Sequence, residues 1–302
     1  METATANTAT AKVATRFENV LFATDFSAAA EQAVPYVRNI VKHYHSRLLA
    51  LHARPVVVNP MTQPSTWAID VEYAKSVDEQ NRQQLHDLLA DLPAEVLIRE
   101  GDVLAVLQEA IEKNHVDLLV IGTRGRTGIG KLLLGSIAEE ILRSVACPVL
   151  TVGPHADAAP GSRAEFREIL YATDLSRESA RAASYATLLA QEFGARLALL
   201  HVVPESHPGD LVTWADVQES SKELLRELVP AGAEGVKKVD YFVERGDPAE
   251  RILDVAHLRQ VDLIVLGTQL AKGVPGAATH LPTAIAHKVL AHAGCPVLTI
   301  RH

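Results

Sequence analysis

The chain carries the same succession of segments twice, and this repeat restricts it to folds made of two copies of one unit. ENVLFATDFS at 18–27 returns as REILYATDLS at 167–176. Three more pairs follow in the same order: RLLALH at 47–52 with RLALLH at 196–201, VDLLVIGT at 116–123 with VDLIVLGT at 261–268, and CPVLTV at 147–152 with CPVLTI at 295–300. Matched segments in one order indicate two copies of one domain. The length of 302 residues agrees, since a domain typically has about 100–200 residues.

We therefore predict two domains, at 17–153 and 166–302. The segment 154–165 is rich in Ala, Gly and Pro and is predicted to be the linker between them. Residues 1–16 are rich in Ala and Thr and lack the apolar stretch of a signal peptide, so they are predicted to be disordered.

Each half alternates short apolar runs with amphipathic stretches, the pattern of an α/β fold. In the first half this pattern predicts strands near 19–24, 47–52, 95–100, 117–122 and 148–152, and helices near 28–45, 70–91, 102–114 and 136–146. In the second half it predicts strands near 168–173, 196–202, 238–243, 262–267 and 296–301. Such alternation implies an open, parallel, Rossmann-like sheet of five strands in each half. The last strands are short and apolar, and we expect them to pair with each other, because pairing covers two exposed edges.

Composition and charge exclude several classes of protein. The net charge is −8 at pH 7 and no basic stripe appears, so nucleic acid is not an expected partner. No apolar run reaches the roughly 18 residues that a membrane helix needs, so no membrane partner is expected either. The two cysteines, Cys147 and Cys295, occupy matched repeat positions, which indicates buried thiols in a reduced, cytoplasmic setting rather than a redox pair.

A glycine-rich loop in the first half is the strongest functional signal. Residues 122–136, GTRGRTGIGKLLLGS, stand between an apolar run and an amphipathic run. Gly122, Gly125 and the pair Gly135-Ser136 have the spacing G-x2-G-x9-G-S. Because glycine has no Cβ and tolerates positive φ, such a loop brings backbone N–H groups close to a phosphate, and the next helix adds the positive end of its dipole. The spacing therefore predicts a nucleotide-phosphate site.

A P-loop is a competing interpretation of the same residues. Gly125 to Lys131 fit the spacing G-x4-G-K, but Leu132 stands where Mg²⁺ coordination requires Ser or Thr. Further leucines then separate this Gly-Lys pair from the predicted helix start. The P-loop is therefore the weaker interpretation.

Polar side chains near the strand ends have both local and ligand-binding interpretations. Ser27 suits a helix cap, and Asp25 either bonds nearby backbone N–H groups or accepts a hydrogen bond from a ribose or adenine. Ser136 and Glu139 have the spacing of a capping box, which is compatible with a phosphate contact from Ser136. The loop cations either face solvent or contact phosphate; they are Arg124, Arg126 and Lys131.

The second half serves as an internal control, and its loop is eroded. Leu270 stands where the first half has Gly125, and the loop is three residues longer by the alignment of 122–147 with 267–295. Thr283-Ala284 replaces Gly135-Ser136, and the capping-box glutamate becomes His287. We therefore expect no nucleotide site of the same kind in the second half.

The histidines do not form a catalytic or metal-binding pattern. His52 and His201 occupy matched positions, which favours a structural role shared by both copies. No nucleophile–base pattern, ligand pair or pair of carboxylates appears at the strand ends.

These residues resemble the universal stress protein family in its tandem, two-domain form. The resemblance spans about 17–153 and 166–302, and its carriers are Ala23-Thr24-Asp25-Phe26-Ser27, Val120-Ile121-Gly122, the loop through Ser136 and Cys147-Pro-Val-Leu-Thr-Val152. It implies a five-stranded α/β domain that binds ATP, with Mg²⁺ or Mn²⁺ on the phosphates. It also implies that Asp25 and the backbone of Ala53 meet the adenosine. The residues implied to hold or surround ribose and phosphates are Ala23, Thr24, Ser27, Ile121, Gly122, Arg124, Gly125, Arg126, Gly135, Ser136 and Ile137.

The expected function is that of an ATP-binding regulatory or stress-response module in the cytoplasm, acting on an unknown protein partner. The alternatives are a slow ATPase or nucleotide-transferring enzyme, and a nucleotide-free scaffold. The resemblance also supports pairing of the two halves, since single-domain members of the family commonly dimerise through the last strand. Whether two chains then associate is left open, with a homodimer as the favoured state.

Overall fold

A computed structural model describes residues 16–54, 67–123, 135–156, 164–176, 180–205, 213–230, 233–268 and 280–301. The first-half elements are β1 (Asn19–Ala23), α1 (Ala28–Glu31), α2 (Val34–Tyr44), β2 (Arg47–Arg54), α3 (Trp67–Leu88), β3 (Ala94–Glu100), α4 (Val103–Asn114), β4 (Leu118–Gly122), α5 (Ser136–Ser144) and β5 (Val149–Val152). Those of the second half are β6 (Glu168–Thr173), α6 (Ala180–Glu192), β7 (Arg196–Val203), α7 (Trp214–Leu228), β8 (Lys238–Arg245), α8 (Pro248–Leu258), β9 (Leu263–Thr268), α9 (His280–His292) and β10 (Val297–Arg301).

All ten strands form one sheet, in the order β3-β2-β1-β4-β5-β10-β9-β6-β7-β8. Neighbouring strands are parallel within each half, and β5 pairs with β10 antiparallel. The predicted fold class, two repeated five-stranded α/β units joined through their last strands, is confirmed.

The sheet carries helices on both faces, so its central strands are buried and mostly apolar. Every residue of β5 and β10 is buried, as are four of the five residues of β4. This is the pattern of strands covered on both sides. The edge strands β3 and β8 are less buried, with one buried residue each, because only part of each is covered.

The junction of the two halves has local two-fold symmetry. Leu298 lies opposite Leu150 in the β5–β10 ladder, and these leucines occupy matched positions of the repeat. Thr299 lies opposite Val149, and its Oγ1 donates to the Val149 carbonyl at 3.3 Å. The symmetry axis therefore passes between the two leucines.

Aromatic packing on one face of the sheet adds to this junction. The ring of Phe17 stacks on Tyr185 of α6 with centroids 6.5 Å apart, and Tyr36 of α2 stacks on Phe166 at 6.2 Å. The Asn39 amide donates to the Ala164 carbonyl at 2.6 Å. One continuous apolar cluster consequently spans both halves on this face.

The structure departs from the predicted elements mainly at the first helix. The single helix expected over 28–45 is two helices, α1 and α2, and Pro35 lies in the first turn of α2. Proline has no N–H to continue the hydrogen bonding of α1, and it is well accommodated at a helix start. The predictions for residues 1–16 and for the linker 154–165 fall largely outside the described residues and stay predictions.

We expect Val149→Lys combined with Val297→Lys to break the junction. Both valines are at most 2% exposed and lie in the paired strands, so each new ammonium group would be buried without a partner. The cost should be several kcal/mol of the free energy of unfolding for each charge. Urea unfolding and size-exclusion chromatography measure this loss, as reduced stability together with aggregation or an expanded chain. The control is Val149→Ile combined with Val297→Ile, which keeps both positions apolar. If the lysine variant had the stability and elution volume of the wild type, the junction would not depend on these buried valines.

Candidate functional site

A cavity of about 190 Å³ opens in the first half, at the carboxyl ends of β1, β2 and β4. Helices α4 and α5 form its other wall. Ligands of open parallel sheets typically bind at this end of the strands. Its polar lining comes from Thr24, Asp25, Thr123 and Ser136, and its apolar lining includes Leu51, Val103, Leu107, Ile137 and Ile141.

The turn after β1 brings Asp25 to the cavity through a strained backbone. Phe26 has φ of 59°, a left-handed conformation that is rare for a bulky residue. Two hydrogen bonds hold the turn: the Phe26 N–H donates to Thr24 Oγ1 at 3.0 Å, and the Ser27 N–H donates to Asp25 Oδ1 at 3.0 Å. Ser27 Oγ then accepts from the Ala30 N–H at 3.2 Å and caps α1. The predicted local roles of Asp25 and Ser27 are confirmed.

The second half builds the same turn. Leu175 has φ of 61°, and its N–H donates to Thr173 Oγ1 at 3.0 Å. The Ser176 N–H donates to Asp174 Oδ1 at 2.9 Å. The turn therefore belongs to the scaffold of both copies and does not by itself distinguish a ligand-binding domain.

His52 supports this turn from β2. Its Nδ1 lies 2.8 Å from the Thr24 carbonyl, and its ring contacts that of Phe26 with centroids 4.6 Å apart. His201 repeats the contact with the Thr173 carbonyl at 3.0 Å. The structural role predicted for both histidines is confirmed.

Gly122 is needed for packing at the end of β4. A Cβ at this position would lie 2.8 Å from backbone atoms of Ala29 and Ala30, so α1 could not approach the strand. Neither Gly122 nor Gly135 has the positive φ that the sequence argument attached to loop glycines. At Gly122, close approach of a helix is the physical reason for glycine.

The next residue, Thr123, leaves a polar atom without a partner. It is 2% exposed and its Oγ1 makes no hydrogen bond to any residue that the structure describes, although the residue lines the cavity. Its backbone is fixed at both ends: the N–H donates to the Val152 carbonyl, and the carbonyl accepts from the Gly135 N–H, each at 3.0 Å. Thr123 thus joins the end of β4 to the start of α5.

The capping box predicted for Ser136 and Glu139 is wrong. Gly135 is the N-cap of α5 and makes no side-chain cap, while Ser136 is the first residue of the helix. Glu139 forms an ion pair with Arg143 on the same helix and lies 3.7 Å from Nδ1 of His287 in the second half. Ser136 is exposed at the cavity, and its hydroxyl is not used by the helix start.

The structure brings most of the predicted site residues to this one cavity. They come from three strand ends and one helix start, and are Ala23, Thr24, Asp25, Ala53, Ile121, Gly122, Gly135, Ser136 and Ile137. Ser27 is in the adjoining turn and caps α1. Arg124, Gly125, Arg126 and Lys131 lie outside the described residues. Sequence reasoning missed Thr123, Val103 and Leu107; the apolar periodicity of α4 gave the signal for the last two.

The matched region of the second half is tied together by charges. Lys288 of α9 lies 3.2 Å from Asp247 and 3.0 Å from Glu250, both at the start of α8. Its counterpart in the first half is Glu140, which is exposed. Helix α9 also begins at His280, ahead of Ala284, the counterpart of Ser136. The two copies therefore differ where the first one has its cavity.

Neither cysteine has the environment of a reactive thiol. Both are free, and burial raises the pKa of Cys147 and of Cys295 to about 12. At neutral pH each is a protonated thiol beside apolar neighbours. In the part of the chain that the structure describes, no three His, Cys, Asp or Glu side chains cluster as metal ligands.

Comparison with known proteins places the chain in a family. The sequence profile of the universal stress protein family matches residues 16–153 and, a second time, residues 165–301. The chain belongs to the universal stress protein family. It has the tandem, two-domain form of that family, and membership supports a stress-response role.

Individual relatives agree with this assignment. A universal stress protein of Mycolicibacterium smegmatis is 28% identical over 297 residues, which are 93% of this chain and 96% of that protein. A universal stress protein of Thermus aquaticus is 36% identical over 141 residues, 45% of this chain and 99% of that protein. The crystal structure of a universal stress protein from Archaeoglobus fulgidus has the same fold, with a TM-score of 0.69 at 22% identity over 95% of this chain and 99% of the other.

Within the described ranges, no helix of this universal stress protein is both long and apolar enough to cross a bilayer.

We expect Gly122→Ala to lower the free energy of unfolding by about 1–3 kcal/mol, because the added methyl group overlaps the backbone of α1. Gly153→Ala is the matched control, since its Cβ would meet the Leu290 and Ala293 carbonyls at an ordinary 3.6 Å. Urea unfolding of both variants measures the difference. Equal stability of the two would show that the approach of α1 does not require glycine.

Proposed function

We propose that the first half binds one ATP in the cavity at β1, β2, β4 and α5, and that the chain acts as an ATP-dependent regulatory module rather than as a catalyst. The observation that carries this proposal is the convergence of chain-distant residues on one cavity. Asp25, Ala53, Gly122 and Ser136 were singled out from sequence and all line it.

The cavity has the chemistry of a nucleoside pocket. Apolar side chains of α4 and α5 form a wall against which the flat base of a nucleotide can pack. Asp25 adds a carboxylate to the lining of the cavity. A volume of about 190 Å³ is below the roughly 300–1,000 Å³ of pockets that enclose a whole ligand. It suits the base and ribose, with the phosphates extending beyond it.

The start of α5 supports the phosphate end of the proposal. The first turn of a helix has N–H groups without intrahelical acceptors, and these carry the positive end of the helix dipole. Here that turn comprises Ser136, Ile137 and Ala138, all of which line the cavity. The exposed Ser136 hydroxyl adds a donor beside them.

A divalent cation would belong to the nucleotide rather than to a protein cage. The described residues offer no cluster of metal ligands, so Mg²⁺ or Mn²⁺ would be held by the phosphates. The cation would neutralise phosphate charge. The protein's own contribution is to hold the base with Asp25 and the phosphates with backbone amides.

We expect isothermal titration calorimetry on the full chain to show one ATP bound per chain, and Asp25→Ala to weaken it about ten-fold or more, by loss of a charge-assisted hydrogen bond. Asp174→Ala is the matched control, because Asp174 makes the same turn contact in the second half. If Asp174→Ala abolished ATP binding and Asp25→Ala kept it, the nucleotide would lie in the second half, and the proposal would be wrong.

Ser136→Ala separates ligand contact from helix stability in the same experiment. Since Gly135 and not Ser136 caps α5, the variant should keep the wild-type melting temperature. Its ATP affinity should fall about five-fold, the effect of one hydrogen bond.

The enzyme alternative differs in turnover. We expect ATP hydrolysis far below the ordinary enzyme rate of about 1–10³ s⁻¹, because among the described residues that line the cavity the one carboxylate, Asp25, is assigned to the nucleoside and not to the phosphates. A phosphate-release assay on the full chain measures this. Ordinary turnover, removed by substitution of a single His or Glu, would establish an enzyme instead. Protein that binds no nucleotide at all would favour the scaffold alternative.

The cytoplasmic location, the homodimer and the protein partner stay predictions. Family membership supports a stress-response role for the chain, and it tests none of the three.

A further inference from the structure

Arg301 reaches from the second half of the chain into the first. It is the last residue of β10 and is 7% exposed. Its Nη1 donates to the Val145 carbonyl at 2.9 Å, and its Nη2 donates to the Arg143 carbonyl. Both carbonyls belong to the C-terminal end of α5.

This contact satisfies groups that the helix cannot satisfy itself. The last four carbonyls of an α-helix have no intrahelical donor and carry the negative end of its dipole. A guanidinium group offers several N–H donors in a fixed plane, together with a positive charge. Arg301 therefore caps α5 both by hydrogen bonds and by charge.

The contact has no equivalent in the opposite direction. The counterpart of Arg301 in the first half is Gly153, at the same place after CPVLTV. Gly153 lies beside the end of α9, where a Cβ would be 3.6 Å from the Leu290 and Ala293 carbonyls. The second half thus donates a side chain to α5, and Gly153 has none to donate to α9.

Helix α5 connects this contact to the cavity. Its first residues line the cavity, and the carbonyls at its other end accept from Arg301. Ser136 and Val145 are nine residues apart, which is about 13 Å along the helix axis. A second group of the other half, His287, lies 3.7 Å from Glu139 in between. The backbone of Arg301 is fixed in turn by α6, because Nη1 of Arg181 donates to the Arg301 carbonyl at 3.3 Å.

We propose that Arg301 is a positioning residue for the nucleotide site: the second half holds α5 by its C-terminal end, and this fixes where the N-terminal amides of α5 meet the phosphates. The inference rests on the proposed function. It gives the second half a role in binding although the described part of that half has charges where the first has a cavity.

The test uses the full chain with Arg301→Met and with Arg301→Lys. We expect Arg301→Met to weaken ATP binding about five-fold in calorimetry, in the range of substitutions that act without touching the ligand. In nucleotide-free protein, amide hydrogen exchange over residues 139–145 should become faster. Arg301→Lys keeps a cation but not the planar donors, so it should recover part of both losses.

The control is Arg259→Met, which removes another partly buried arginine of the second half. Arg259 pairs with Glu168 of β6 and Asp240 of β8 and makes no hydrogen bond or ion pair to α5 among the described residues. It should lower the melting temperature and leave ATP affinity and α5 exchange unchanged. If Arg259→Met and Arg301→Met lost ATP affinity equally, the loss would reflect general destabilisation of the fold, and the inference would be overturned. Wild-type ATP affinity and hydrogen exchange in Arg301→Met would overturn it as well.

Two further outcomes remain decisive. If wild-type protein binds no ATP, the proposed function fails, while the exchange comparison still tests whether Arg301 holds α5. If Arg301→Met does not fold, Arg301→Gln replaces it with the same expected results, since glutamine keeps a donor but cannot span both carbonyls.

Discussion

The antiparallel pairing of β5 and β10 is the contact on which the rest of this structure depends. Each half alone would expose an apolar edge strand, and such an edge is a site of uncontrolled association. Pairing covers both edges and makes one ten-stranded sheet. It also brings α5 near α9 and places Arg301 at the end of α5. The junction therefore builds part of the candidate site as well as the fold.

Sequence periodicity and the internal repeat were sufficient for the fold. Short apolar runs located the strands because both faces of the central sheet are covered, and the predicted boundaries differ from the observed ones by at most two residues. The pairing of the last strands was predicted because each is apolar and would be an exposed edge of the sheet if its half stood alone. The sequence analysis did not predict the break between α1 and α2. Pro35 was the available signal, because proline is favoured in the first turn of a helix and disfavoured in its interior.

The candidate site was predictable as a set of positions but less so as a set of roles. Asp25 and Ser136 converge because the carboxyl ends of parallel strands share one edge of the sheet. The role of Gly122 depends on how closely α1 packs, and the role of Ser136 depends on the residue at which α5 begins. Both are tertiary facts that spacing does not encode. Arg301 could not be assigned either, since its partners lie more than 150 residues earlier in the chain.

The pair Gly153 and Arg301 shows what covalent joining of two copies permits. In a symmetric homodimer every residue occurs twice, so a cap given by one subunit to its partner is always returned. In a single chain the two positions mutate independently. One copy can keep a small residue and receive support, while the other gives support and, in its described part, has the ion pairs of Lys288 where the first has its cavity. The single chain can therefore hold an asymmetric contact, from Arg301 to the end of α5, that a symmetric homodimer cannot.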